Sequence, residues 1–424
     1  MAPTDMKSKK QHSSRFINFF KKLGPGLITG ASDDDPSGIA TYSQAGAQFG
    51  LATLWTALIT FPLMVSIQEM CARIGMVTSA GLTANIKKYY PQPLVIFVLL
   101  ITVPAILLNI GADIAGMGAV ANLVVPVIPS YVFSIFFTIV LMLAIIFLSY
   151  GKIVATLKYL CLSLFLYLII PFISTPNWFE VLKHTFIPTV QFNKQFLQIL
   201  VAILGTTISP YLFFWQATME AENHQGKYVF VSRHDIKNMN KDVVFGMFSS
   251  NLVMYFIILT TGTILFPQGI HQIETVEQAA SALKPLVGEF SYLLFALGVI
   301  GTGFLAIPVL TGCVSYILST TFNWKGDLDK QFFKAKCFYG VIIISLIIGL
   351  AINFIGLNPL EALLYTAILY GISAPILIIF ILFISNNKKI MGKFTNSKWS
   401  NIFGITTLLL MTTSAITLLY LQFF

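Results

Sequence analysis

The stretch SDDDPSG at residues 32–38 interrupts the first long apolar segment of this chain, and GTTISP at residues 205–210 interrupts the sixth. A charged side chain at the centre of a bilayer costs about 2.5 kcal/mol or more, even on lenient insertion scales. Three consecutive aspartates, Asp33, Asp34 and Asp35, therefore indicate a function. Breaks that carry proline with glycine or hydroxyl residues, in corresponding positions of two halves, are typical of the substrate site of secondary transporters.

The composition excludes an ordinary soluble protein. Hydrophobic residues make up 56% of the chain, charged residues only 10%, and the mean hydropathy is +0.81. A soluble domain carries about 25% charged residues. Apolar runs of about 20 residues predict an all-α polytopic membrane protein with about eleven spans. These lie near 24–50, 51–72, 94–122, 131–150, 153–174, 196–222, 243–266, 291–320, 333–354, 358–385 and 400–423.

The net charge of +9 follows the predicted topology and does not indicate a nucleic-acid partner. If the N-terminus is cytoplasmic, all of the 26 basic residues except Lys183, Lys194 and Lys284 fall on the cytoplasmic side. Lysine and arginine enrichment in short loops marks that side. We therefore expect an integral protein of the cell membrane, in contact with the lipid bilayer, with Phe424 outside. Its oligomeric state is left open.

The domain organisation follows from the positions of the breaks. Residues 1–23 form a basic cytoplasmic tail, which is followed by an apolar stretch too long and too acidic for a cleaved signal peptide. Residues 24–424 form a single transmembrane domain. Because the breaks lie in segments one and six, we expect two inverted repeats, at about 24–174 and 196–385, with an extra helix at about 400–423. No nucleotide-binding loop motif occurs, so we expect an ion gradient or the substrate's own gradient to supply the energy.

The first break combines a backbone signal with an excess of negative charge. Asp35-Pro36 suits the restart of a helix, because aspartate is a strong N-cap and proline is preferred at the first helical position. That role leaves Asp33 and Asp34 unexplained, since the segment contains no basic residue. Three neighbouring carboxylates cannot all stay ionised in a low-dielectric site without a cation. We expect a cation or a proton to bind at this site.

The second break offers neutral oxygens. Unwinding would free carbonyl groups around Thr206 and Thr207, and the hydroxyls of Thr206, Thr207 and Ser209 add more. Carboxylate, carbonyl and hydroxyl oxygens are the ligands that Mg²⁺, Ca²⁺ and Mn²⁺ prefer. The alternative is that these hydroxyls only satisfy the backbone groups that Pro210 frees.

Several motifs resemble the natural resistance-associated macrophage protein (NRAMP) family of divalent-metal transporters. The matching residues are Gly24-Pro25-Gly26, Asp35-Pro36, AGAQFG at 45–50, Gln68 and ARIGMVT at 72–78, together with the second break. The resemblance implies a leucine-transporter-type fold, a 5+5 inverted repeat in which helices 1 and 6 are unwound. It also implies uptake of Mn²⁺ or Fe²⁺ with protons.

The chain departs from the family pattern at the implied metal site. Asp35 matches the metal-binding aspartate, whereas Gly38 stands in place of the ligand asparagine. In the sixth segment Thr206 replaces an alanine, Ser209 a methionine and Tyr211 a histidine. Losing the thioether removes the soft ligand that favours transition metals. In the third segment Asp113 matches a proton-path aspartate, but Gly116 stands where an acidic partner usually follows.

The sequence thus predicts a secondary transporter for a divalent metal cation, Mn²⁺ or Mg²⁺, by alternating access, with weak or uncertain proton coupling. No enzymatic activity and no resident cofactor are expected. The predicted metal ligands are Asp34, Asp35, Gly38, Thr206 and Ser209. The predicted proton path or second shell consists of Asp33, Asp113, Thr207 and Tyr211.

Two alternative functions remain open: the same fold carrying an organic cation or an amino acid, and a membrane sensor that transports nothing. For Asp113, a hydrogen bond to a neighbouring helix is the alternative to a proton relay. Glu69 and Arg73, one helical turn apart, are expected to form a structural ion pair. Glu220, Glu222 and His224 end the sixth segment on the cytoplasmic side, where we expect a solvated face, with an acidic exit vestibule for cations as the alternative.

Overall fold

The computed structural model describes residues 24–148, 167–174, 176–224, 231–328, 330 and 332–423, and this part of the chain contains helices and no strands. The predicted tail, residues 1–23, and most of the fifth predicted span, 153–174, lie outside the described residues. The helices, in chain order, are α1 Pro25–Asp33, α2 Pro36–Phe49, α3 Trp55–Thr78, α4 Leu82–Tyr89, α5 Gln92–Val124, α6 Ser130–Phe147, α7 Ile170–Ser174, α8 Trp178–Phe186, α9 Lys194–Thr207, α10 Pro210–His224, α11 Arg233–Ile264, α12 Val276–Ser281, α13 Lys284–Val287, α14 Ser291–Phe322, α15 Lys336–Ile352, α16 Pro359–Asn386, α17 Lys388–Met391 and α18 Lys398–Phe423.

The predicted all-α polytopic architecture is confirmed. Nine helical segments of the described chain are long and apolar enough to cross a membrane, and they correspond to predicted spans two to four and six to eleven. The first predicted span is divided into the half-helices α1 and α2, and the sixth into α9 and α10. Both interruptions fall within the two stretches that the sequence marks.

One boundary differs clearly from the prediction. The seventh span was expected to begin near residue 243, but α11 begins at Arg233. Ser232 and Asp235 form a reciprocal capping box there, in which each side chain accepts from the other residue's backbone N–H. The first turns of α11 are polar, so hydropathy misses them although the backbone is helical.

Glycine contacts bring α1 close against α11. A Cβ atom built on Gly30 would collide with the backbone of Gly246, and one built on Gly246 would collide with the backbone of Gly26. Only glycine allows two helix backbones to approach this closely, as is common in membrane helix pairs. The close packing fixes α1 and the break that follows it against α11.

The periphery and the centre of the bundle differ in burial. Helices α6, α15 and α18 expose large apolar side chains such as Phe136, Ile344 and Leu409. In α10, by contrast, all residues from Pro210 to Ala217 are buried. Since lipid is as apolar as these exposed side chains, α6, α15 and α18 suit the lipid-facing ring, and both breaks lie in the interior.

Candidate functional site

Asp35 restarts the first broken helix. It is the N-cap of α2, and its Oδ1 accepts hydrogen bonds from the Gly38 backbone N–H and the Ser37 hydroxyl, both at 2.8 Å. Pro36 occupies the first helical position. The predicted capping role of Asp35 is confirmed. Because only Oδ1 takes part in the cap, Oδ2 remains available on the other side of the carboxylate.

The second oxygen of Asp35 faces α5. Asn109 donates through Nδ2 to Asp35 Oδ2 at 3.0 Å, and the same nitrogen lies 3.4 Å from Asp113 Oδ2. The Thr366 hydroxyl of α16 donates to Asn109 Oδ1 at 3.0 Å. We call Asp35, Asn109, Asp113 and Thr366 the Asp35 cluster. It joins the first break to α5 and α16.

Asp33 and Asp34 point to a different helix. The Ser250 hydroxyl of α11 lies 2.7 Å from Asp33 Oδ2 and 3.1 Å from Asp34 Oδ1. A serine hydroxyl has one proton, so it can donate fully to only one of the two carboxylates at a time. We call Asp33, Asp34 and Ser250 the Asp33–Asp34 pair. Asp33 Oδ1 is buried and has no hydrogen-bond partner in the described part of the chain.

The three aspartates do not form one cluster. Among the described residues, no group of three histidine, cysteine, aspartate or glutamate side chains is arranged to hold a metal ion. The structure therefore brings Asp35 and Asp113 together through Asn109, and it holds Asp34 with Asp33 beside Ser250. The sequence did not identify Asn109, Thr366 or Ser250. Asn109 carried a usable signal, because it is a polar residue one helical turn before Asp113 in an apolar span.

These carboxylates are enclosed. Asp33 and Asp113 are 0% exposed, Asp35 2% and Asp34 6%. No lysine, arginine or histidine of the described chain forms an ion pair with any of them. A buried charge without a countercharge is strongly unfavourable, so each carboxylate must bind either a proton or a cation.

The hydroxyls at the second break mainly donate hydrogen bonds to backbone carbonyl oxygens. The Thr207 hydroxyl donates to Ile203 O at 2.8 Å. The Ser209 hydroxyl donates to Thr206 O at 2.6 Å and to Gly205 O at 3.1 Å. These contacts match the alternative in which the hydroxyls satisfy groups near Pro210. Each hydroxyl oxygen still has lone pairs, so donation to the backbone does not prevent it from accepting or from binding a cation.

The two breaks face each other. The Tyr211 hydroxyl at the start of α10 donates to Ser32 O at 2.8 Å, in the last turn of α1. That carbonyl belongs to a helix end, where carbonyls have no helical partner. At Gly38 an added Cβ would lie 3.3 Å from Thr206 Oγ1. Tyr211 therefore holds α10 against the first break, and Gly38 is in contact with the second.

The N-terminal end of α1 is held by an acidic side chain. Asp242 of α11 accepts from the Gly24 backbone N–H at 2.9 Å and from the Gly26 N–H at 2.7 Å. Nearby, Gln216 of α10 accepts from the Thr29 hydroxyl and donates to Glu220 at 3.2 Å. Glu220 is only 3% exposed. The predicted solvated face is therefore wrong for Glu220, because α10 packs against α1 and α3 along this length.

The expected ion pair between Glu69 and Arg73 is confirmed. The two side chains approach within 2.9 Å. Arg73 also donates to Phe394 O at 2.9 Å and to Asn396 Oδ1 at 2.6 Å. The guanidinium thus ties α3 to the segment before α18, which supports a structural role.

Comparisons with known proteins agree with this architecture. The sequence profile of the family described as natural resistance-associated macrophage protein-like matches residues 26–421. A divalent metal cation transporter, MntH, of Caldanaerobacter subterraneus subsp. tengcongensis is 24% identical over 392 residues, which are 91% of this chain and 90% of the relative.

Two solved structures show a similar fold. A mutant of the Eremococcus coleocola manganese transporter superposes with a TM-score of 0.70 at 19% identity, covering 93% of this chain and 85% of the other. MhsT in complex with L-phenylalanine gives a TM-score of 0.61 at 12% identity, covering 94% and 98%. These matches confirm the leucine-transporter-type arrangement in which helices 1 and 6 are unwound.

Proposed function

Because the chain belongs to the natural resistance-associated macrophage protein-like family, we propose that it is a secondary transporter that moves a divalent metal cation across a membrane by alternating access. One observation carries the proposal. Asp35 is buried where the two helix breaks meet, and no basic side chain of the described chain neutralises it. The MntH relative and the Eremococcus coleocola protein are transporters, and the proposed activity makes and breaks no covalent bond.

The cation is proposed to be Mn²⁺ or Mg²⁺, bound by oxygen atoms. Asp35 is the principal ligand, with Thr206, Ser209 and the backbone at Gly38 beside it. Asp34 becomes a further ligand when the unwound segment rotates toward the cation. Thioether and thiol groups are absent from this set, and an all-oxygen set favours hard cations. Mn²⁺ fits the donor set, and the structurally similar Eremococcus coleocola protein is a manganese transporter.

Asp33, Asp113, Thr207 and Tyr211 are proposed to act around the cation and not as ligands. Asp113 and Asp35 both accept from the Asn109 amide, so Asp113 is placed to hold a proton beside Asp35 when the cation leaves. Tyr211 and Thr207 hold the broken backbones. Asp33 shares the Ser250 hydroxyl with Asp34. Proton coupling remains part of the proposal and is expected to be weak.

We place the protein in the cell membrane with residues 1–23 in the cytoplasm and Phe424 outside, following the distribution of basic residues. Residues 24–424 act as one transmembrane unit, with repeats at about 24–174 and 196–385 and the helix at about 400–423 outside the repeat. In this arrangement the Asp242 contacts with Gly24 and Gly26 close the cytoplasmic end of α1.

Isothermal titration of the purified protein with Mn²⁺, Mg²⁺ and Ca²⁺ tests the proposal. We expect wild-type protein to bind Mn²⁺ or Mg²⁺ and Asp35→Asn to bind the same cation much more weakly. Asparagine is also a good N-cap, so Asp35→Asn removes the charge while it keeps the acceptor for the start of α2. Glu277→Gln, at an exposed acid on α12, is the matched control. A protein that binds none of the three cations would refute metal transport and favour an organic substrate.

A further inference from the structure

A cavity of about 330 Å³ lies beside α2, and its lining includes Pro36, the residue after the three aspartates, but none of the aspartates themselves. Pro36, Gly116 and Leu363 lie together in this lining, and because Pro36 adjoins Asp35 we call these three residues its floor. Its walls include Ser43, Gln195, Gln198, Gln272 and Glu361. We call this cavity the vestibule. With a cytoplasmic N-terminus it opens to the outside, because it borders the half of the first span that leads away from Gly24.

The vestibule is lined by free hydrogen-bond acceptors. In the described part of the chain, the side-chain amides of Gln195, Gln198 and Gln272 form no hydrogen bond with another residue. The Ser43 hydroxyl is 1% exposed and also has no partner there. Glu361 adds one exposed carboxylate, and no lysine, arginine or histidine is among the lining residues. The lining is therefore suited to a cationic ligand that presents hydrogen-bond donors.

A hydrated divalent cation is such a ligand. The waters bound to the ion point their hydrogens outward, and amide, hydroxyl and carboxylate oxygens accept them. Six waters at about 30 Å³ each occupy roughly 180 Å³, which the cavity accommodates. Mg²⁺ in particular dehydrates reluctantly and usually keeps several waters in protein sites. Neutral amides also hold the ion less tightly than carboxylates would, so the ion can leave again.

The floor separates the vestibule from the aspartates. Asp35 is 2% exposed and does not line the cavity, although its neighbour Pro36 does. At Gly116 an added Cβ would lie 3.1 Å from Leu363 Cδ1 and 3.7 Å from Pro36 Cβ. The floor is thus a layer of apolar side chains packed around a glycine. An ion with a complete water shell cannot pass it without movement of α2, α5 or α16.

We propose that the vestibule is a second cation-binding site, in which Gln195, Gln198, Gln272, Ser43 and Glu361 hold the divalent cation with its water shell before it loses water and reaches Asp35. This proposal rests on the proposed function, since it names the form in which the transported cation first binds. It assigns recognition of the hydrated ion to the vestibule and recognition of the dehydrated ion to the Asp35 cluster.

Hexaamminecobalt(III) is the probe, because its six ammonia ligands do not exchange and present N–H donors much as a hydrated cation presents O–H donors. Binding to the full-length protein in a neutral detergent is measured by isothermal titration. We expect wild-type protein to bind it at one site and Asp35→Asn to bind it with unchanged affinity. The triple variant Gln195→Leu, Gln198→Leu and Gln272→Leu should weaken binding by roughly tenfold or more, equivalent to about 1.4 kcal/mol.

Two variants serve as controls. Gln92→Leu changes an exposed glutamine at the opposite end of α5 from Gly116, and its binding should equal that of wild type. Gln198→Glu adds a carboxylate to the vestibule wall and should strengthen binding. The Gln198→Glu result keeps the test decisive if the triple variant fails to fold.

Two outcomes overturn the vestibule site. One is a wild-type protein that does not bind the probe. The other is binding that Asp35→Asn abolishes and the triple variant keeps, which would place the probe at the aspartates. Failure of the proposed function has a different signature: probe binding and its loss in the triple variant would persist, while Asp35→Asn would leave the heat with Mn²⁺, Mg²⁺ and Ca²⁺ unchanged.

Discussion

The Asp35 cluster and the Asp33–Asp34 pair begin from adjacent residues of one chain, yet they belong to different parts of the bundle. Asp35 is tied to α5 and α16 through Asn109 and Thr366, and it also caps α2. Asp33 and Asp34 share a single hydroxyl on α11. The difference shows that an acidic run does not by itself define one multidentate site. Where the backbone changes from helix to extended structure, successive side chains leave in different directions.

The two regions also differ in how firmly hydrogen bonds hold their carboxylates. Three hydrogen bonds fix the Asp35 carboxylate, whereas the described residues supply the Asp33–Asp34 pair with one donor for two carboxylates. A ligand that is already oriented loses less conformational entropy when it binds. We therefore assign the principal ligand to the better-held carboxylate and a secondary role to the pair that is free to rearrange.

The largest expected effect is at Asp35. Asp35→Ala should reduce cation uptake into proteoliposomes by roughly a hundredfold or more, because removing a buried charged ligand costs on the order of 2 to 5 kcal/mol. Size-exclusion chromatography should show a folded protein. Asp35→Asn, which preserves the cap, should lose uptake as fully as Asp35→Ala. Wild-type uptake in either variant would mean that the Asp33–Asp34 pair is the principal site.

The second prediction compares the hydrogen-bond partners of the two regions. Asn109→Ala should weaken cation binding by roughly tenfold, because a hydrogen bond to a charged group is worth about 1.5 to 3 kcal/mol and some orientation survives through the cap. Ser250→Ala should change binding less, by roughly threefold or less. Titration calorimetry of both variants under the same conditions measures the ratio. A larger effect at Ser250 than at Asn109 would reverse the assignment.

The sequence predicted the fold and the breaks because both depend on local composition. Apolar runs mark the spans, and Asp35-Pro36 contains both the cap and the first residue of α2. The partners could not be predicted in the same way. Ser250 lies 217 residues from Asp33, so their contact depends on the packing of α1 against α11. Glu220 was expected in solvent for the same reason, since its burial depends on neighbouring helices.

The third prediction concerns selectivity at the second break. Ser209→Met should make Cd²⁺ a stronger competitor of uptake relative to Mg²⁺, since a thioether is a better ligand than a hydroxyl for soft cations. The substitution also removes the Ser209 hydrogen bonds to Thr206 and Gly205. Ser209→Ala removes the same bonds without adding sulfur and is the matched control. An inhibition ratio that is equal in the two variants would show that position 209 does not face the cation.

The smallest expected effect is on proton coupling, for which each of the two regions offers a carboxylate. The side chain of Tyr211 is a phenol, which stays protonated near neutral pH where a histidine would titrate, and Gly116 supplies no carboxylate beside Asp113. Two routes remain: a proton taken up by Asp34 when the cation leaves, or one taken up by Asp113, which Asn109 links to Asp35. We therefore expect weak or absent acidification inside vesicles during cation uptake at a clamped membrane potential, followed with a trapped pH dye.

The variants Asp34→Asn and Asp113→Asn test which of the two regions is responsible for any acidification that remains. If the proton travels through the Asp33–Asp34 pair, Asp34→Asn should remove the residual acidification and Asp113→Asn should leave it. The reverse result would assign the proton to the Asp35 cluster, where Asp113 Oδ1 is buried and has no partner in the described part of the chain. Strong acidification that survives both substitutions would contradict both routes, and it would mean that the proton crosses through groups outside the two regions.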